Sequence, residues 1–246
     1  MPAMSAPLPF LAIGDIILNN TILEETMKLK YILFDLDGTL TDPALGITSC
    51  VNYALCAFGK GVDDLSELNE YIGPPLMPSF MEFHGLTEEQ AIEGTRLYRE
   101  KFRAGGIFQN ELYPEIPGVL AALRDEGYTL ILATSKPEEF AKVILEHFDL
   151  DKYFDCVCGN NLKEERPSKA MVIEYIISKF PDIDRENTLM VGDRRYDTEG
   201  AHTFDIRTIG VLYGYGSKDE HIAAGTDFLA ETPSDILKIV RSLTKK

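Results

Sequence analysis

Positive charge is scarce in this chain: 24 lysines and arginines stand against 40 aspartates and glutamates, a formal net charge of −16. So acidic a chain carries no general basic field for a polyanionic backbone, which argues against a nucleic-acid polymer as partner and leaves room only for a local positive pocket around a small anion. Long apolar runs are also missing. The most apolar stretch near the start, "PLPFLAIGDIIL", is interrupted by Asp15, has no positive segment before it and is too short to span a bilayer. It reads as neither signal peptide nor membrane anchor, and no membrane partner is expected. Cysteine is sparse as well. Cys50, Cys56, Cys156 and Cys158 match neither a metal-finger spacing nor a disulfide framework, so reduced, mostly buried thiols in a cytoplasmic protein are expected. Cys156 and Cys158 alternate within a strand and are expected on opposite sides of a sheet, not as a redox pair. His84, His147, His202 and His221 are scattered without metal-ligand spacing, and no catalytic role is expected of them.

What is present suits one large domain or a domain with a smaller insert, since 246 residues at 45% hydrophobic content can bury a substantial core. Short β-rich runs occur at 31–34, 129–133, 154–158, 188–191 and 207–211, with a weaker one near 227–229. Helical apolar spacing separates them at 117–126, 137–147, 168–179, 195–203 and 233–243. Strands alternating with helices predict an α/β fold, a Rossmann-like parallel sheet covered on both faces, with ligands at the carboxyl ends of the strands.

One interval breaks the alternation. Residues 44–104 read as helices only, and Thr87 and Gln90 stand at capping-box spacing for the last of them, which "GG" at 105–106 stops. A simple crossover needs far less chain. The spacing therefore predicts a small all-helical cap over 43–106, inserted after the first strand of a core made of 27–42 and 107–246. Residues 1–26 are expected to be a dispensable extension before a domain that opens at Met27.

The first strand runs straight into two carboxylates in "YILFDLDGTLTD". Asp35 and Asp37 repel each other unless a cation or a shared proton compensates. Thr134 closes a second strand, Asp193 and Asp197 follow a third, and Lys169 begins a helix, so a sheet would bring polar groups of one theme to one edge.

That set resembles the haloacid dehalogenase superfamily of aspartate-nucleophile phosphohydrolases. Its first signature, Asp-x-Asp-x-Thr, stands as "DLDGT" (Asp35, Asp37, Thr39), its second as Thr134 in "ILATSKP", its third as Lys169 in "RPSKA" and its fourth as Asp193 and Asp197 in "GDRRYD". All four occur in order across residues 28–243, and the helical insert is similar to the cap of the phosphoglycolate-phosphatase-like and phosphoglucomutase-like branch. The resemblance implies a magnesium-dependent phosphatase acting on a small phosphorylated metabolite. It implies Asp35 as nucleophile and Asp37 as acid and then base. It places Mg2+ on the carboxylates of Asp35 and Asp193 and the main-chain carbonyl of Asp37, with Asp197 orienting a ligand from behind and Thr39 bracing the loop. Thr134, Lys169 and the backbone N–H groups of Leu36 and Gly38 would hold the phosphoryl oxygens.

The third signature has a rival in Arg166, because relatives often follow their lysine with proline and here Arg166 precedes Pro167. The substrate reading is phosphoglycolate first, a 5′-nucleotide or a broad range next. A sugar-phosphate mutase, which returns the phosphoryl group to its substrate, is a further alternative, as is phosphotyrosine on a protein. A dehalogenase is disfavoured, because breaking a carbon–halogen bond needs no leaving-group acid at Asp37. Arg194 and Arg195 are expected at the surface or facing the cap. Arg96, Arg99 and Arg103 share a helix face that is expected to be solvated, and "YIGPPL" at 71–76 looks like the family's cap loop near substrate.

Overall fold

The computed structural model describes Phe10–Ile13, Ile16–Asn19 and residues 28–244. Strands β1 (Phe10–Ile13) and β2 (Ile16–Asn19) pair antiparallel; the rest of the 1–26 extension expected from the sequence lies outside the described residues. Strand β3 (Tyr31–Phe34) is buried along its whole length and leads through β4 (Thr41–Asp42) into the helical interval. That interval holds α1 (Ala44–Cys56), a 3-10 segment at Leu65–Tyr71, α2 (Leu76–His84) and α3 (Glu88–Arg103). The expected capping box opens α3: Thr87 Oγ1 accepts the Gln90 N–H at 3.3 Å and Gln90 Oε1 accepts the Thr87 N–H at 3.0 Å. Strand β5 (Glu111–Leu112) then pairs antiparallel with β4, so the chain leaves for the helices and returns from them through one short ladder. Two-residue strands carry no periodicity, and the sequence pattern does not predict this one.

Five further crossovers follow in α4 (Ile116–Asp125), β6 (Thr129–Pro137), α5 (Glu138–His147), β7 (Cys156–Asn160), α6 (Lys169–Lys179), β8 (Thr188–Gly192), α7 (Arg195–His202), β9 (Arg207–Val211), α8 (Lys218–Ala224), β10 (Phe228–Ala230) and α9 (Pro233–Thr244). Helix α8 is the one the apolar spacing passes over. Its start is marked instead by Ser217, whose Oγ accepts the Glu220 N–H at 3.0 Å, an N-cap in the stretch "SKDE".

Six strands form a parallel sheet in the order β10-β9-β8-β3-β6-β7, and β2 joins the β10 edge antiparallel. The α/β fold expected from the alternation is the fold observed. Alternate residues of each strand enter different cores, as a pleat requires. Ile32, Phe34, Leu130, Leu132, Leu189 and Val191 pack with α4, α5 and α9 and, in the same continuous cluster, with the helices of the 44–103 interval. Tyr31, Leu33, Ile131, Ala133 and Met190 pack on the other face with α6 and α7. The chain steps from β3 to β6 and β7, then returns to β8 on the other flank of β3 and continues to β9 and β10. The direction therefore reverses at β3, and the crevice this opens lies at the carboxyl ends of β3 and β8.

One expectation about the sheet fails. Cys156 and Cys158 point to the same face, their Sγ atoms 3.4 Å apart as free thiols, with Lys179 Nζ at 3.7 and 3.8 Å. Residues i and i+2 of a strand share a face, so the alternation places them together. Among the described residues no helix is long and apolar enough to cross a membrane.

The central strand sets a stability test. Leu33 is fully buried between β6 and β8, so Leu33→Ala should lower the unfolding free energy by about 2–5 kcal/mol, read as a lower denaturant midpoint with an unchanged slope.

Candidate active site

Both aspartates of "DLDGT" emerge where β3 ends. The turn that carries them is tight: the Leu36 carbonyl accepts N–H groups from Thr39, Leu40 and Thr41 at 3.2, 2.9 and 3.1 Å. Gly38 sits in it with φ +77°, and a Cβ there would collide with the Asp193 carboxylate. Only glycine satisfies both conditions. Across the crevice Asp193 follows β8 directly, Asp197 lies in the first turn of α7 and Lys169 is the first residue of α6. Asp35, Thr134, Lys169, Asp193 and Asp197 are all buried.

Lys169 is the centre of this group. Its Nζ lies 3.0 Å from Asp35 Oδ1 and 2.7 Å from Asp197 Oδ1, and it donates to the Ala133 carbonyl at 2.8 Å. Burial works against its charge, but Asp197 and then Asp35 outweigh burial and hold its pKa above the ordinary lysine value. The rival Arg166 is turned elsewhere, donating to Gly159 O at 2.7 Å and Glu138 at 3.1 Å and lying over the Tyr175 ring.

Asp37 faces a different cation. Lys136 Nζ sits 2.7 Å from Asp37 Oδ2 and 2.9 Å from Oδ1, a buried pair at the mouth of a cleft beneath the helices of the 44–103 interval. Burial raises the Asp37 pKa, and Lys136 opposes the rise without cancelling it. A carboxyl placed so holds its proton further toward neutral pH than an exposed aspartate, as a leaving-group acid must.

The remaining carboxylates fit a divalent cation. Asp35, Asp193 and Asp197 each offer an oxygen within 4.8 Å of the others. Three carboxylates face one ammonium, a surplus of two negative charges. Asp193 Oδ2 accepts the Tyr215 N–H at 2.8 Å, but its Oδ1 is buried without a hydrogen-bond partner. Burial, then the charges of Asp197 and Asp35, push the Asp193 pKa well above the ordinary carboxylate range. Asp197 Oδ1 is likewise buried without a hydrogen-bond partner but lies 2.7 Å from the Lys169 ammonium, while its Oδ2 accepts the Arg194 N–H at 3.1 Å. Hard oxygens with an uncompensated charge are what a magnesium-sized ion takes.

Residues 32–211 match the family model of the haloacid dehalogenase-like hydrolases. The chain belongs to that family. A 5′-nucleotidase of Pseudomonas aeruginosa is 42% identical over 197 residues, covering 80% of this chain and 89% of the relative. A tyrosine-protein kinase of Mycobacterium tuberculosis is 38% identical over 77% of this chain and 64% of its own length. A phosphoglycolate phosphatase of Vibrio parahaemolyticus is 29% identical over 86% and 96%. Among solved structures, a predicted phosphatase from Clostridium acetobutylicum superposes with a TM-score of 0.84 at 43% identity, covering 86% of this chain and 98% of that one.

Within this haloacid dehalogenase-like hydrolase the expected phosphate donors are placed unequally. Leu36 N–H donates to Asp35 Oδ1 at 2.8 Å, beside the carboxylate, whereas Gly38 N–H is taken by the Thr41 carbonyl at 2.8 Å and serves the loop. Thr134 Oγ1 accepts the Lys136 N–H at 3.2 Å. Thr39 ties the loop through its carbonyl, which accepts from Tyr213 Oη at 2.9 Å, while its buried hydroxyl has no partner. Sequence reasoning missed Lys136 and Tyr215. The signal for Lys136 is its place two residues after Thr134 in a strand that continues to Pro137; Tyr215 acts through its backbone and leaves no signal. Arg194 does face the helices, donating to the Ile72 carbonyl at 2.7 Å. Of the arginines on α3, Arg96 is exposed and pairs with Glu93 and Glu100 on its own helix, as a solvated face should. Arg99 departs from the expectation, because it reaches across to Leu162 O at 3.1 Å and Glu164 at 2.7 Å.

Two outcomes follow from these charges. Lys136 lowers the Asp37 pKa, so Lys136→Met should raise it and move the alkaline limb of the kcat/KM profile to higher pH, measured on an alkyl phosphate; an unmoved limb removes Asp37 as the titrating acid. Asp193 is raised well above its ordinary range and Asp197 is pushed up to about 6 by burial, against the pull of Lys169. Groups raised on folding contribute fully below their unfolded pKa and lose that contribution as pH rises through the folded value. The metal-free protein should therefore lose thermal stability as pH rises from the ordinary aspartate value of 3.8 through about 6, magnesium should restore it, and Asp193→Asn should blunt both effects. A melting temperature indifferent to magnesium would count against the cation site.

Proposed function

We propose that this haloacid dehalogenase-like phosphatase hydrolyses a small-molecule phosphomonoester in a magnesium-dependent reaction through an aspartyl-phosphate on Asp35. The observation that carries the reading is the split between the two loop carboxylates. Asp35 is held against the Lys169 ammonium at 3.0 Å, and Asp37, two residues on, is paired with Lys136 at the mouth of the cleft. That split supports a reading in which one attacks and the other handles a proton.

Asp35 forms a bond to phosphorus as the bond from phosphorus to the ester oxygen breaks, and that oxygen takes the proton of Asp37. Asp37, now a carboxylate, takes a proton from water as the water oxygen bonds phosphorus and the Asp35 carboxylate is released with inorganic phosphate. Lys169, the Thr134 hydroxyl and the Leu36 N–H hold the phosphoryl oxygens, with Gly38 committed to the turn. Magnesium, held by the carboxylates of Asp35 and Asp193 and the main-chain carbonyl of Asp37, would supply the charge neutralisation that lets an anionic ester approach an anionic nucleophile. Asp197 keeps Lys169 in place. The helices over 44–103 act as the cap, excluding water during the first transfer. The 5′-nucleotidase and phosphoglycolate phosphatase relatives support a small monoester and differ in the alcohol they release.

Phosphate release should be measured on nucleoside monophosphates, phosphoglycolate and sugar phosphates, with magnesium and with chelator. The wild type should release phosphate only with magnesium, and Asp35→Asn should lose about a thousandfold or more while keeping its far-UV circular dichroism. Turnover retained by Asp35→Asn would remove Asp35 as nucleophile.

A further inference from the structure

Two thiols stand together on β7, and the chemistry at the carboxylates makes no use of them. Cys156 and Cys158 bring their Sγ atoms to 3.4 Å, and Lys179 Nζ, from the last turn of α6, lies 3.7 Å from one and 3.8 Å from the other. Cys158 is fully buried, whereas Cys156 is partly open to water on the edge strand of the sheet. The pair thus has a closed side and an open one. Lys179 belongs to an exposed helix end, yet its ammonium lies against both sulfurs and 4.2 Å from the centre of the Tyr175 ring. Burial, then the neighbouring sulfur, pushes the Cys158 pKa up to about 12, so that thiol keeps its proton until a partner stronger than an ammonium draws it off.

A bond between the sulfurs does not suit this arrangement. Strand β7 keeps regular register here, with Cys156 opposite Ile131 and Cys158 opposite Ala133, so the two residues stand about 6.6 Å apart along the strand. A disulfide draws its Cβ atoms to about 3.8 Å, which the strand cannot give without leaving the sheet. An ion spanning the sulfurs makes no such demand. Among the described residues, Asp35, Asp193 and Asp197 are the only three or more acid, thiol or imidazole donors close enough to share an ion, so the thiols have no further donors of that kind to complete a zinc tetrahedron. Sulfur is too soft for magnesium. A soft monovalent ion is satisfied by two thiolates alone, and the charge agrees: two thiolates and one such ion leave one negative charge in excess, which the Lys179 ammonium cancels beside a buried sulfur.

We propose that Cys156 and Cys158 form a binding site for a soft monovalent metal ion with the chemistry of Cu(I), and that Lys179 is its counter-charge. On binding, each S–H bond gives its proton to water, each sulfur forms a bond to the ion, and no electron moves. The site is distinct from the carboxylates, since oxygen donors suit a hard ion and these sulfurs a soft one. It does not depend on the phosphatase reading of Asp35.

The test titrates the full chain, reduced, anaerobic and with magnesium present, with Cu(I) in competition with a chromophoric Cu(I) chelator. One ion should bind per chain, with a sulfur-to-copper absorption band in the near ultraviolet, and Cys56→Ser, which removes an exposed thiol elsewhere, should bind it equally well. Cys156→Ser, at the partly exposed position, should keep its far-UV circular dichroism and hold no Cu(I) against the chelator. Lys179→Met keeps both sulfurs and should weaken binding by about tenfold, the scale of a lost partner beside a metal site. In the wild type, bound Cu(I) should protect Cys156 from alkylation, mapped by mass spectrometry, and leave Cys56 reactive. No retention of Cu(I) by the wild type, retention by Cys156→Ser, loss with Cys56→Ser, indifference to Lys179→Met, or zinc held as tightly as Cu(I) would each overturn the proposal.

Discussion

A buried ammonium holds the end of this sheet together. Lys169 touches carboxylates from two different elements, Asp35 after β3 and Asp197 in α7, and a carbonyl from a third, Ala133 in β6. Without it three buried carboxylates would share one crevice uncompensated, a cost of several kcal/mol per charge. With it the carboxylates still outnumber the ammonium, and Asp193 Oδ1 is buried with no hydrogen-bond partner.

The surroundings follow from keeping those charges close. The Gly38 turn lets the Asp193 carboxylate press against the loop, and Gly216 lies so near the Asp193 carbonyl that any side chain would collide with it. The sheet supplies the location: reversal of strand direction at β3 leaves a crevice between β3 and β8 that no connection crosses. Above it, the helices between β4 and β5 are tied down on two sides, by Arg194 to the Ile72 carbonyl and by Arg99 to Leu162 and Glu164. Two cation pairs thus meet in one cleft, Lys136 with Asp37 and Arg99 with Glu164.

Much of this is legible in the sequence, for reasons that can be named. Strands buried on both faces read as unbroken apolar runs, so "YILF" and "TLMV" announce themselves and the carboxylates that follow are placed at strand ends by continuity alone. The helical interval is legible by its length and its lack of strand pattern. Less legible are features whose signal is short or depends on phase. The β4–β5 ladder is two residues long, α8 has a cap but little apolar spacing, and Cys156 and Cys158 come together because two residues is a full strand period.

By itself the sequence determined which residue types stand at the strand ends and in which order, and hence the α/β class. Local periodicity and signature spacing are properties of neighbours along the chain, and a single chain displays them fully. Only the tertiary structure decided who pairs with whom. Lys169 rather than Arg166 lies against Asp35, Lys136 takes Asp37, and Arg99 crosses to Glu164. Those partners lie tens of residues apart or belong to different loops, and charge pairing at contact distance depends on where folding brings the ends of the strands, which no local pattern encodes.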